Sequence, residues 1–386
     1  MKEKNQKNKV ITISLGHMFH DIYASFLAPM LPLLIAKYGM TLSMAAFLDF
    51  VRKVPSLFNP LIGLAADKVC LRYLLIVAPA ITAISMSLLG LAPSYIFLLI
   101  LLFVAGISSS LFHVPGPVMI RRYSQARVGA GMSYYMLGGE MARTLGPLLI
   151  TGALSLWGLE GSFRVMPLGI IASLVLFFKL KNVSSIAPGI EANKKKEGVK
   201  STLKGLRHFL VFLFGFQLAR AGMKASLTLY LPIYLTGLGK SLWVAGISLS
   251  ILQFAGAFGV FVAGHLSDRI SRKTTLLVIA IANPILMWLF VFWGDILMIP
   301  LLILLGFFLF ASGPVILALV QEVGSERPAF MNSISMTINF SISTLMVLFV
   351  GYCGDVLGLE YTFKICAVVS CFSLPFLLFI PKEKKK

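Results

Sequence analysis

The chain has 386 residues, of which 58% are hydrophobic and only 13% charged, and its mean hydropathy is +0.89. A water-soluble protein of this length needs far more polar surface, and apolar runs of ~18–27 residues without two-residue alternation exclude an outer-membrane barrel. The net charge of +19 does not point to nucleic acid, because the basic residues are distributed between apolar runs; the lipid bilayer is the expected partner.

In chain order, Met1–Lys9 precedes the first apolar run. This start resembles a secretory leader, but the run is too long, carries His17, His20 and Asp21, and lacks a small-residue cleavage site, so an uncleaved span is expected. The predicted spans are 10–37, 41–66, 73–92, 94–120, 128–155 and 163–179, then 206–236, 242–267, 274–293, 295–320, 329–353 and 360–380. Between the two sets lies the polar stretch 181–205, with Pro188-Gly189 and Lys194-Lys195-Lys196, which reads as a cytoplasmic linker. The expected fold is therefore an all-α membrane protein with twelve transmembrane helices in two pseudo-symmetric six-helix halves, 1–180 and 206–386. Apart from five basic residues deep inside spans, Lys and Arg fall on one set of alternate connections, with only Lys37, Arg164, Lys240 and Lys364 near the opposite face; this asymmetry predicts both termini in the cytoplasm of a multi-pass inner-membrane protein. Cys70, Cys353, Cys366 and Cys371 have no metal-ligand spacing and read as apolar filler.

The halves share a repeat spaced about 200 residues apart. Leu31-Pro32 through Gly39 and Leu42 matches Leu231-Pro232 through Gly239 and Leu242. Gly63, Asp67 and Lys68, followed by Arg72, match Gly264, Asp268 and Arg269, followed by Arg272. Each set closes the second span of its half. Glycine there permits close helix approach, and the acid can cap a helix or pair with a base, which makes these residues a candidate conformational latch; ordinary charged turns are the alternative.

These paired loops resemble the signature of the major facilitator superfamily. Gly16-His17-Met18-Phe19-His20-Asp21, Pro60-Leu61-Ile62-Gly63, Ser109-Ser110-Leu111-Phe112-His113, Gly138-Gly139 through Gly146-Pro147, and Leu231-Pro232 resemble its fosmidomycin-resistance branch of drug exporters. That branch usually has Asn where His20 stands and an uncharged second span. The resemblance implies a monomeric secondary transporter working by alternating access. It would export a small anionic or amphipathic compound by antiport, using the proton gradient as energy source and no cofactor. It also makes Gly138, Gly139, Gly146 and Pro147 a hinge or seal, with simple close packing as the alternative. Import of an organic anion by proton symport, or a non-transporting membrane sensor or scaffold, are the competing readings.

Eight ionisable residues fall inside spans: Asp21, Asp49, Arg52, Lys53, Glu140, Arg143, Arg220 and Lys224. Each costs about 2.5–3.5 kcal/mol near the bilayer centre, so each needs a reason. At 1.5 Å per residue, Arg52, Arg143 and Arg220 all lie about 20 Å from the cytoplasmic ends of their spans. With Lys53, Lys224, Gln217 and Tyr134 they form a candidate substrate site, the guanidinium forks suiting a carboxylate, phosphate or phosphonate. Asp49 and Glu140, each three residues before an Arg, can pair within their helices, so mutually neutralised ion pairs are the alternative. Asp21 is the first candidate for proton coupling, paired with a base such as Arg220, and Glu140 is the second. His17, His20 and His113 could extend it into a proton relay. No metal site is assigned, because no thiolate or second carboxylate stands at ligand spacing.

Overall fold

The computed structural model describes residues 2–59, 71–124, 128–181, 206–322 and 328–380, and every regular element among them is helical. The expected linker and three latch residues, Gly63, Asp67 and Lys68, lie outside the described residues, as does the side chain of Asp268. Among the described residues, ten helical stretches are long and apolar enough to cross a membrane. The other two expected spans, 41–66 and 128–155, carry Asp49, Arg52 and Lys53 in the first and Glu140 and Arg143 in the second. The first is described as α3 (Leu42–Lys53) with a 3-10 turn at Val54–Phe58, the second as α7 (Val128–Trp157).

The first span is two helices, α1 (Lys2–Ala24) and α2 (Leu27–Tyr38). Its counterpart in the second half is also interrupted: α9 (Arg207–Ala225) passes through a π turn at Ser226–Tyr230 into α10 (Leu231–Gly237). The first interruption, at Ser25-Phe26, lies just before Pro29, and the second lies just before the repeated Pro232. Proline removes an N–H donor and crowds the carbonyl four residues back, so the ladder loosens on its N-terminal side. After each span the chain turns in the same way. Gly39 and Gly239 adopt φ of 59° and 78°, and the next N–H returns to a carbonyl five residues back (Met40 to Ile35 at 3.2 Å, Lys240 to Leu235 at 3.0 Å). Thr41 Oγ1 and Ser241 Oγ then accept from the N–H groups of Met44 and Val244 at the start of the following helix.

The remaining helices of the first half are α4 (Leu71–Ser87), α5 (Tyr95–His113), α6 (Pro115–Ser124) and α8 (Met166–Leu180). The second half continues with α11 (Leu242–Arg269), α12 (Arg272–Glu322), α13 (Pro328–Leu357), α14 (Leu359–Cys371) and a final turn, α15 (Ser373–Phe376). Helix α12 is two expected spans joined through non-helical Trp293 and Leu297. By contact, the chain forms two compact units: Met1–Pro188 with Pro232–Ser250, and Gly189–Leu231 with Ile251–Lys386. In the first unit a buried core gathers Ile13, Leu75, Phe112, Ile120, Tyr135 and Leu176. In the second, Phe209, Phe212, Phe216, Leu276 and Val315 form the core. Residues such as Ile96, Ile296 and Leu378 stay exposed, as lipid-facing side chains must be.

Candidate functional site

In the first unit the site is built on α1, α5 and α7. His17, His20 and Asp21 share one face of α1 through their i, i+3 and i, i+4 spacing. His113 is the last residue of α5, where Pro115 ends the helix and starts α6, so the expected fourth span is broken at this point. The break delivers His113 to Asp21. Asp21 Oδ2 lies 3.1 Å from His17 Nε2, and Oδ1 lies 3.2 Å from His113 Nε2. These are ion-pair distances, yet neither His17 Nε2 nor Asp21 Oδ1 makes an aligned hydrogen bond among the described residues. The sequence-based expectation paired Asp21 with a base such as Arg220; the bases that hold it are imidazoles.

Tyr135 of α7 organises the imidazoles. Its backbone carbonyl accepts from His17 Nδ1 at 2.7 Å, and its ring stacks on His17 with centroids 4.0 Å apart. Its hydroxyl lies 3.5 Å from His113 Nδ1. A carbonyl can only accept, so His17 carries its proton on Nδ1 and turns Nε2 toward Asp21. His20 is fully buried beside Phe112 and His113, and neither ring nitrogen has a hydrogen-bond partner among the described residues.

The glycines of α7 let it reach α1. A Cβ at Gly139 would stand 2.8 Å from His17 Cε1, one at Gly138 would stand 2.4 Å from Ser14 O, and one at Gly146 would stand 1.9 Å from Ser25 Oγ. Pro147 follows inside the same unbroken helix. These glycines pack α7 closely against α1.

The intramembrane cations separate into two kinds. Asp49, 2% exposed, is bound from both sides: Arg52 Nη2 reaches Oδ1 at 2.6 Å, and Lys53 Nζ reaches Oδ2 at 2.7 Å. Arg52 Nη1 also donates to the carbonyl of Ala24, at the break between α1 and α2, satisfying a helix-end acceptor. Arg143 pairs with Glu140, leaving the Arg143 side chain 44% exposed. Arg220, in the second unit, differs. It is 7% exposed, donates from Nη2 to Leu309 O at 3.2 Å, and lies over the Phe216 ring at 5.2 Å. Among the described residues no carboxylate lies at ion-pair distance from it, and its Nε has no partner. Gln217, one turn earlier, also has an unpartnered buried Nε2. Lys224 stands over Phe310 at 5.5 Å, and Tyr134 is exposed.

Of the described latch residues, Arg72 donates to the Tyr73 hydroxyl at 3.0 Å, Arg272 donates to Ser267 Oγ at 2.5 Å, Arg269 is exposed, and Gly264 packs near Pro314. Two residues carry the site in a way that the sequence does not show. Tyr135 acts through its backbone, which leaves no residue-type signal, and Pro115 reads as one more proline until the helix break is seen.

The sequence profile of the Major Facilitator Superfamily matches residues 13–345. The chain is 24% identical over 385 residues to the fosmidomycin resistance protein of Escherichia coli K12, covering 97% of this chain and 93% of that one. It is 25% identical over 388 residues to an uncharacterized MFS-type transporter, YfnC, of Bacillus subtilis 168, with the same coverage. Among solved structures, a bacterial homologue of the human lysosomal transporter Spinster, inward-facing and occupied, superposes with a TM-score of 0.81 at 15% identity, covering 96% of this chain and 95% of that one. A point mutant of the nucleoside transporter NupG gives 0.76 at 14% identity, covering 97% and 100%.

Proposed function

The chain belongs to the major facilitator superfamily, a family of membrane transporters and not of enzymes, and from that premise we propose that it exports a small organic anion from the cell in exchange for protons. It would act as a monomer in the inner membrane with both termini in the cytoplasm, presenting its binding site to each side in turn. The observation that carries the anion is Arg220. A guanidinium buried without an acid is costly, and breaking a buried ion pair typically costs about 3–5 kcal/mol. An arriving carboxylate, phosphate or phosphonate supplies the missing counter-charge, and the free Nε and the Gln217 amide are donors ready to receive it. Export is supported by the name of the E. coli relative, a resistance protein of similar length.

We assign the proton to Glu140, because both oxygens of Asp21 face imidazoles. Beside this stretch of α7 stand His17 and Asp21 of α1, against which Gly139 packs, and His113 of α5, which meets Tyr135. On the return leg of the cycle, Glu140 carries the proton inward. The Glu140–Arg143 pair also favours a second reading, import by symport: an anion that draws Arg143 away leaves Glu140 to be neutralised, so anion and proton load together.

Reconstituted vesicles test both. Fosmidomycin, the compound in the relative's name, is the first probe. Exchange predicts that a proton gradient drives it against the proton flow, and symport predicts movement with the proton flow. Arg220→Ala should weaken binding by about tenfold or more, since a hydrogen bond to a charge contributes about 1.5–3 kcal/mol. Glu140→Gln should retain binding but lose the response to the gradient. A folded Arg220→Ala protein that binds every anionic probe as the parent does overturns the proposal.

A further inference from the structure

We propose that His17, Asp21 and His113 form a binding site for a divalent transition-metal ion of the zinc type. One ligand atom from each residue lies within 4.8 Å of the other two. The two carboxylate–imidazole edges, 3.1 and 3.2 Å, approach the ~3.3 Å that separates donors around a tetrahedral ion bound at about 2.0–2.1 Å. The third edge is within 4.8 Å, and His113 is the most exposed of the three side chains at 37%.

Three details suit this group to a metal ion. First, His17 is committed: with its Nδ1 proton on the Tyr135 carbonyl at 2.7 Å, a neutral ring turns the Nε2 lone pair toward a carboxylate. Two lone pairs in contact need a cation between them, a proton or a metal ion, and metal binding by the parent protein distinguishes the two. The same backbone bond is the outer-shell support that orients metal-bound histidines. Second, His17 Nε2 and Asp21 Oδ1 lack aligned hydrogen bonds among the described residues although partners stand within 3.2 Å, which leaves lone pairs for an ion. Third, His20 is fully buried with both nitrogens unpartnered among the described residues, and its ring centroid is 5.5 Å from that of His113. Its unpartnered nitrogens make it the candidate fourth ligand.

Two or three imidazoles with one carboxylate suit Zn2+, Co2+ or Ni2+; Ca2+ and Mg2+ want more oxygens, and Cu+ wants sulfur. An ion here joins α1 to α5 and is separate from the anion reading, because Arg220 contributes nothing to it.

The test uses the full chain purified without a polyhistidine tag, with Co2+ and Zn2+ alone as probes. One Co2+ per chain should bind with visible absorption of a four- or five-coordinate nitrogen–oxygen site, and Zn2+ should displace it. Asp21→Asn and His113→Gln should each weaken binding at least as much as the ~10–100-fold loss of an outer-shell partner. His265→Gln, at an exposed histidine of α11, should change nothing. X-ray absorption of the Zn2+-loaded parent protein should show imidazole nitrogens at about 2.0–2.1 Å, which keeps the question answerable if a variant does not fold. Overturning results are no saturable Co2+ binding by the parent protein, a zinc shell of oxygen alone, or unchanged binding in a folded Asp21→Asn/His113→Gln double variant.

Discussion

Asp49 is held by two cations at 2.6 and 2.7 Å, and removing its charge leaves both in a low-dielectric setting. Asp49→Ala should lower stability by about 3–5 kcal/mol, read from unfolding in detergent. Adding Lys53→Met should recover part of the loss, because one orphaned charge goes with it; no recovery would mean that Asp49 acts by packing alone. Gly139→Ala sets a methyl 2.8 Å from His17 Cε1, against a ring fixed by stacking and by a backbone bond. Overpacking of this kind costs about 1–3 kcal/mol. Gly237→Ala is the matched control, with nothing within 4 Å of the new carbon. At this scale the sequence was informative wherever partners share a helix. Asp49 with Arg52, Glu140 with Arg143, and His17 with Asp21 sit three or four residues apart, and spacing on a helix is distance. His113 and Tyr135 come from other helices, and no spacing along the chain measures that gap. Arg220 has no acid three or four residues away, but spacing does not say whether another helix supplies one.

Between helices, the repeat goes further than the matching letters suggest. A Cβ at Gly106 of α5 would meet the carbonyl of Arg52 at 2.1 Å, and one at Gly306 of α12 would meet the carbonyl of Leu252 at 2.1 Å. The two glycines and the two carbonyls are equivalent positions of the halves. Helices that touch through a backbone oxygen cannot yield as a side chain would, so Gly106→Ala and Gly306→Ala should each cost about 1–3 kcal/mol, again beside Gly237→Ala. Neither glycine stands in a recognisable motif, and a helical glycine shows its purpose only once its neighbour is known. The turns were more legible: Gly39 with Thr41 and Gly239 with Ser241 are the residue types that left-handed caps and N-caps require.

Over the whole molecule, the remaining positive-φ glycines extend the correspondence. Gly158 and Gly358 follow α7 and α13 with φ of 70° and 82°, so both pairs of such glycines occupy matching connections in the two halves. The topology proposed from the distribution of Lys and Arg would put all four connections on the outer face. In a cysteine-free background, Leu238→Cys should react with an impermeant maleimide in intact cells, whereas a cysteine replacing Lys384 should react only after the membrane is opened. The reverse result would invert the topology. Span number and the twofold repeat could be read from the sequence because apolar length and interval are properties of the chain alone.

The bond from His17 to Tyr135 ends on the main chain. Whatever amino acid occupies position 135, the same oxygen is offered in the same place. A saturation library at that codon therefore samples ring stacking and the hydroxyl, while the imidazole's orientation passes unchanged to every helical variant. Conservation counts, which record side chains, would undervalue such a position.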